Sequence, residues 1–382
     1  MGRVGKRASR ETADTSAQPI RAQGSRDLTV VFIPDWRSIN PYQDLLAAAL
    51  ERRGIRVRFP DQFDQRRPLL TALLSRQFDI LHLHWTQPYI AAETLPGTVL
   101  RSVAFLLKVS LARLLRRRII WTVHNLVSHE ARFGRWERRV NWLLARLTHT
   151  LVVHYPGARQ IVRKSYRVPA RKEILVAHHG HYMEAYGEAS GIRADGPHHE
   201  PTHEPLMILA FGLVRRYKRL EDLIMAFRDL DREDVRLTIK GSVHDKEYAD
   251  ELRRLARGYD RIALELEFVD DRKVGEVFAA ADIVAVTQAD TLTSGSLILA
   301  MSLGKPIVCA RGPHAEFLIG EGNESGVLYT PESIAELTKA LGEIADRRHE
   351  LPEMGLANRR RIAPYTWLGM AEELERAYLG TD

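Results

Sequence analysis

At 382 residues the chain can build two domains with separate cores, and 45% hydrophobic with 27% charged residues places it among ordinary soluble globular proteins. Its single cysteine, Cys309, excludes an internal disulfide and with it the disulfide-stapled secreted class. A formal charge of +7 favours an anionic partner: a nucleotide, an anionic membrane surface or nucleic acid.

Residues 1–27 are polar and basic and lack an apolar h-region, so they read as a disordered tail rather than a signal peptide. No run of about 18 uncharged apolar residues occurs, and no spanning helix is expected. The location expected from this is cytoplasmic, peripheral at the inner face of the cell membrane. From residue 28 short β-branched runs alternate with helical stretches, as in parallel α/β sheets. The first six strand candidates are LTVVFIP, IRVRFP, ILHLHW, RIIWTVH, TLVVHY and EILVAHH; between the first two, YQDLLAAALERRG reads as a helix ending at Gly54. Residues 100–120 combine an apolar helical stripe with cations. Arg101 and Lys108 fall on one line, with Phe105 close by and Arg116 adjacent. Such a face either rests on anionic lipid headgroups or is the solvated side of a helix packed on the sheet.

The alternation stops at residues 187–205, whose Gly, Pro, Asp and His content reads as a linker. It restarts with LMILAFG, VRLTIKG, ALELEF, DIVAVTQ, PIVCA and SGVLYT. Two doubly wound α/β halves imply two Rossmann-like domains facing a central cleft, over residues 28–186 and 206–363, with a C-terminal crossover helix in 364–382.

Two strand-to-helix junctions in the second half are suited to an anion. In FGLVRRYKRLEDLIMAF, residues 211–227, Gly212 allows a tight turn, after which Arg215, Arg216 and Lys218 can hold a diphosphate. The other junction is Thr293-Ser294-Gly295-Ser296, where small residues and unpaired N–H groups open a helix. A basic solvated loop and an ordinary helix cap are the plain alternatives. Both junctions follow parallel strands of one domain, so they can converge on one ligand.

The order Gly212 to Lys218, then IKGS, then EFVDDRKVGEVFAAADIVAVTQ, then TSGSLILAMSLGKPIV resembles the donor domain of GT-B glycosyltransferases, nearest to bacterial enzymes of surface-polysaccharide and glycolipid synthesis. In the first half DILHLHW and IIWTVHNLVSHE resemble the acceptor domain of that group, and HHGHYMEAY its segment before the linker. The resemblance implies that Lys218, with Arg215 or Arg216, binds the donor phosphates together with Ser294, Gly295 and Ser296. Gly212, Gly241, Phe268, Val269, Asp270 and Thr293 would border the nucleotide or sugar. Two positions depart from the pattern: Thr291 and Leu299 stand where many retaining members carry glutamates, and Leu213 follows the loop glycine where an arginine is common. These departures favour the subgroup that includes exopolysaccharide mannosyltransferases.

On the acceptor side, His124 and Glu130 are the catalytic candidates, with Asp35, Asn125, His129 and His181 as acceptor contacts. An inverting transfer needs a base for the acceptor hydroxyl, whereas in a retaining one His124 would contact the donor sugar. For Asp35 a turn role is an equal alternative. Histidines cluster at 178–181 and 198–203, but neighbours on a strand face opposite ways, and no metal site is expected.

The implied activity is hexosyl transfer, with mannosyl the named candidate, from a GDP- or UDP-linked sugar to a saccharide or lipid-linked acceptor. No cofactor beyond that donor is implied. Two alternatives are kept, a nucleotide-sugar epimerase of the same fold and a basic nucleic-acid-binding protein; the basic residues lack the interleaved aromatics of the latter, so no nucleic-acid partner is expected.

Overall fold

The computed structural model describes residues 28–59, 68–75, 77–128, 131–187, 205–289, 291–320, 322 and 324–380. They form two compact units, one of Met1–Gly180 with Trp367–Asp382 and the other of His181–Thr366. The tail 1–27 and nearly all of the linker 187–205 lie outside the described residues. His181–Tyr186, expected with the first half, group with the second unit, and the terminal helix Trp367–Leu379 groups with the first.

In the first unit β1 (Thr29–Ile33), β2 (Arg56–Arg58), β3 (Ile80–Leu83), β4 (Arg118–Thr122), β5 (Thr150–Val153) and β6 (Ile174–Val176) form a parallel sheet in the order β2-β1-β3-β4-β5-β6. Every residue of β1, β3 and β5 is buried, which is why these runs are continuously apolar: helices cover both faces of the sheet. The order reverses between β1 and β3, a point where ligands of such sheets bind. After β1 the chain turns through residues 34–41. Gln43 fixes this turn, its Oε1 accepting from Trp36 N at 2.8 Å and its Nε2 donating to the Pro34 carbonyl at 2.8 Å. The helix Tyr42–Arg52 follows, and Gly54 takes φ +79° at its end. The helix Trp367–Leu379 packs back on this unit, its Tyr378 hydroxyl 2.6 Å from His82 Nδ1.

The helix Leu95–Leu114 begins at a Thr94 cap, whose Oγ1 accepts from Gly97 N. It buries Thr98, Ser102, Phe105, Val109 and Ala112. Trp136 Nε1 donates to Ser102 Oγ at 3.1 Å, tying it to the helix Gly134–Leu147. Its opposite face leaves Leu100 (71%), Leu107 (65%) and Leu114 (79%) in solvent, with Val103 beside them. One expectation is corrected here. Phe105 belongs to the packed face, not the exposed one. At 20 residues and mean hydropathy 1.4 the helix has the length and average composition of a membrane span, which a helix packed on a soluble core can also have.

The second unit carries β7 (Leu206–Phe211), β8 (Val235–Lys240), β9 (Ile262–Glu265), β10 (Ile283–Val286), β11 (Ile307–Ala310) and β12 (Gly326–Tyr329), all parallel, in the order β12-β11-β10-β7-β8-β9. This is the doubly wound order of dinucleotide-binding sheets, with its switch point between β7 and β10. One continuous core runs from Ile208, Leu237 and Ile283 on the strands to Leu223, Phe227, Leu337 and Leu341 on the helices.

Candidate active site

In the second unit a small open hollow lies at the carboxyl ends of β7 and β10, lined by Phe211, Gly212, Leu213, Thr287, Gln288 and Ser296 around Lys218. Gly212 has φ +108° and Gly241, just after β8, has φ +152°. A Cβ on Gly212 would lie 3.0 Å from Lys218 Nζ, so the absence of a side chain there keeps the lysine at the floor.

Lys218 ends the short helical turn Arg216–Lys218 and is 8% exposed. Its ammonium sits 3.2 Å from the Phe211 carbonyl oxygen and 3.5 Å from Ser296 Oγ. Burial lowers its pKa to about 8, since no carboxylate offsets the lost hydration. A buried cation of this kind is costly without an anion, and one phosphate would complete it.

Ser296 lies in the first turn of the helix Gly295–Ser302. Ser294 caps that helix: its Oγ accepts from Leu297 N at 3.3 Å and from Gln288 Nε2 at 2.9 Å, and its own N–H donates to His314 Nδ1 at 3.2 Å. The Ser294 side chain is therefore engaged in capping, whereas Gly295 and Ser296 hold the first N–H groups of the helix, which have no intrahelical acceptor. Nothing lies within 4 Å of where a Gly295 Cβ would be, so its backbone is open to a ligand. Thr293 Oγ1 is buried without a hydrogen-bond partner beside this turn.

The structure separates Arg216 from this group. Its guanidinium is outside the lining, bonded to Asp245 at 3.1 Å and Glu251 at 2.9 Å, and it stands over the Tyr248 ring. Arg215, in extended backbone, precedes it. Phe268 lies beyond the end of β9 and is 71% exposed, and Asp270 caps the next turn while pairing with Arg272 at 3.0 Å. Val269 is half-buried between them.

In the first unit four neighbouring strands each deliver a histidine just past their carboxyl ends: His84 after β3, His124 after β4, His154 after β5 and His179 after β6. All four are buried, and the Tyr42 ring meets each at 5.0–5.8 Å between centroids. Burial, reinforced by the neighbouring imidazoles, holds the pKa of His84 and His124 well below the usual histidine value, so both are neutral. His154 is held at about 4, again chiefly by burial. His124 stacks on Trp85 at 4.1 Å and 11°.

Of the acceptor-side residues expected from sequence, His124 and Asn125 stand at this edge. Asp35 closes a turn, its carboxylate accepting from Arg37 N at 3.2 Å and from the Arg37 guanidinium at 2.8–2.9 Å. His181 is placed in the second unit, with its N–H on the Tyr365 carbonyl at 2.8 Å. His129 and Glu130 lie outside the described residues. His84, His154 and Tyr42 escaped sequence reasoning. The available signal was periodic: a histidine one or two places after each of four successive apolar runs. Among the described residues no three or more His, Cys, Asp or Glu are grouped to hold a metal ion.

Residues 205–347 match the family model described as glycosyl transferases group 1. The chain is a hexosyltransferase, and its match to the group 1 family is carried by residues 205–347. It is 27% identical over 299 residues to a GDP-mannose:glycolipid 4-beta-D-mannosyltransferase of Xanthomonas campestris, covering 78% of each chain. It is also 30% identical over 190 residues to a D-inositol 3-phosphate glycosyltransferase of Corynebacterium diphtheriae, covering 47% of this chain and 43% of that one. Among solved structures it resembles Anabaena HepE in complex with UDP and glucose, with a TM-score of 0.70, 16% identity and coverage of 93% and 100%. A sucrose-phosphate synthase from Thermosynechococcus elongatus gives 0.69, 15%, 93% and 99%. At these identities the structures establish the fold, which is the GT-B α/β architecture expected from sequence. Neither the epimerase nor the nucleic-acid alternative gains support from these relatives. In this glycosyltransferase Thr291 and Leu299, the positions that depart from the two-glutamate pattern, flank the helix cap at Ser294.

Proposed function

We propose that this hexosyltransferase binds a nucleoside-diphosphate sugar at the switch point of its second unit and passes the hexosyl group to a glycolipid acceptor. The observation that carries the reading is the Lys218 ammonium, buried with a carbonyl and a hydroxyl and in want of an anion. The diphosphate would lie between Lys218, the N–H groups of Gly295 and Ser296, and the Thr293 hydroxyl. As the glycosidic C–O bond breaks, the leaving diphosphate gains negative charge, and donors already aimed there stabilise the transition state more than the ground state. The acceptor oxygen bonds the anomeric carbon and its proton leaves. Glu130 remains the carboxylate candidate for receiving it. Mannose from GDP-mannose is the favoured donor, because the relative matched over 78% of its length is named for that donor and a glycolipid acceptor.

Contact with an anionic membrane is the second part of this reading. The exposed row Leu100, Val103, Leu107 and Leu114 is too apolar for a purely solvated face. Residues 95–172 hold seventeen lysines and arginines against two acids, Glu130 and Glu137, although the whole chain carries only +7. Such a segment suits a surface of anionic headgroups, where a lipid-linked acceptor would be presented.

The deciding experiment is a thermal-shift panel with GDP-mannose, UDP-glucose, UDP-glucuronate, UDP-N-acetylglucosamine and free nucleotides, repeated on Lys218→Ala. Stabilisation by GDP-mannose that disappears in the variant is expected. A shift that survives Lys218→Ala would overturn the assignment of the phosphate site.

A further inference from the structure

The histidines at the edge of the first unit do not all find their tautomers in the same way. His154 Nδ1 lies 2.8 Å from the Ala177 carbonyl oxygen, and His179 Nδ1 lies 2.8 Å from that of Gly180. A carbonyl only accepts, so both rings carry their proton on Nδ1. His154 Nε2 then receives the Tyr42 hydroxyl at 3.5 Å.

His84 has no such carbonyl. Its Nδ1 faces His124 Nε2 at 3.3 Å, and its Nε2 is enclosed without a hydrogen-bond partner. One proton is shared between the facing nitrogens of two neutral rings, so exactly one of the two donates across the gap. If His124 donated, His84 would have to keep its own proton on Nε2, as an orphaned buried N–H. If His84 donates, Nε2 is left only as an unmatched lone pair, the cheaper defect. Both rings are held for this bond: His84 stacks on His82 at 4.3 Å and 22°, and His82 is pinned by the Tyr378 hydroxyl at 2.6 Å and Thr122 Oγ1 at 2.7 Å. On the other side Trp85 fixes the plane of His124.

We infer that His84 is a positioning residue whose Nδ1–H donates to His124 Nε2, fixing His124 as the Nδ1–H tautomer and making it a hydrogen-bond donor to a sugar hydroxyl instead of the base of the transfer. The inference rests on the transferase reading only in what His124 touches; the tautomer itself belongs to the protein alone. Its chemical consequence is that the acceptor hydroxyl loses its proton to another group.

The test is nitrogen NMR on protein labelled in its histidines, with the His124 signals identified from their loss in His124→Gln, together with kinetics on two His84 variants. The expected wild-type spectrum places the His124 proton on Nδ1. In His84→Phe both tautomers become populated, and kcat falls roughly 10- to 100-fold, as is usual when the partner that orients a histidine is removed, with donor KM nearly unchanged. His84→Asn carries an amide N–H close to the position of imidazole Nδ1–H; it should restore both the single tautomer and most of kcat, which a merely structural defect would not allow. A wild-type proton on Nε2, or an Asn variant as mixed as the Phe variant, overturns the inference. Absence of transfer from every sugar nucleotide, in a protein whose His124 carries Nδ1–H, would instead overturn the transferase reading and uphold the tautomer.

Discussion

A Cβ built on Gly241 would lie 1.8 Å from the carbonyl oxygen of Gly212. The two glycines follow adjacent strands, and Gly212 N donates to the Lys240 carbonyl at 3.0 Å, so a side chain at 241 must push apart the loop that floors the Lys218 hollow. Gly241→Ala should therefore lose stability twice, through its φ of +152° and through the clash. Gly258→Ala isolates the first loss, since Gly258 has φ +82° and nothing within 4 Å of its Cβ position. We expect about 1 kcal/mol for Gly258→Ala and at least about 3 kcal/mol for Gly241→Ala by urea denaturation. Equal losses would show that the loop yields freely.

Lys218→Met keeps the apolar stem and removes a buried charge that no carboxylate balances. It should raise the melting temperature while weakening donor binding roughly 100-fold, the reverse of what a purely structural lysine would show. Calorimetric melting and donor titration on the same preparation decide it. A variant that melts lower and still binds the donor would place the diphosphate elsewhere.

The lowered pKa of Lys218, about 8, gives binding and stability opposite pH trends. A bound diphosphate raises this pKa, so donor affinity is greatest below about pH 8, falls as pH rises through that value, and binding takes up protons there. For folding, the unfolded lysine keeps its ordinary value of 10.5. Both states are protonated below pH 8, and the burial penalty is then fully present. Between pH 8 and 10.5 the unfolded chain binds more protons, so this group's share of stability rises with pH. Calorimetry in two buffers of different ionisation enthalpy reports the proton uptake; none at pH 8.5 would contradict the assignment.

Arg216→Ala should be nearly silent. Its ion pairs with Asp245 and Glu251 are at the surface, where water and salt screen them, and it does not line the hollow. Donor KM is expected to stay within about twofold of wild type, against the large loss from Lys218 variants. A tenfold rise in KM would mean that the ion pairs open when the donor arrives.

Replacing Leu100 and Leu107 by Asp places two carboxylates on the exposed row without touching the buried face of the helix. Sedimentation with phosphatidylglycerol vesicles should drop at least tenfold, while donor-induced thermal stabilisation is unchanged. Unchanged sedimentation would assign the basic segment to another partner, such as nucleic acid or a second copy of the chain.

Most strands were legible as continuous apolar runs, which parallel strands covered on both faces need, and β2, β8 and β9 as alternating ones. The run ALELEF was the least accurate: pairing stops at Glu265, and Phe268 is exposed beyond it. Lys218 and Ser296 could be paired from sequence because both follow strand-to-helix junctions of one sheet, and the structure brings them to one hollow. Arg216 was not separable from them, since its orientation depends on Asp245 and Glu251, about thirty residues away. The histidine edge was hidden for a related reason. Each member ends a different strand, and only the sheet order brings His84, His124, His154 and His179 into one row.

The first unit is built from two separated stretches of chain, since Trp367–Leu379 packs on the sheet that Thr29–Val176 supplies. During synthesis that sheet must wait, with the helix that bonds its His82 missing, while the whole of the second unit emerges and folds. The second unit, His181–Thr366, is continuous and faces no such delay. Order of appearance from the ribosome and order of completion are therefore opposite in this protein.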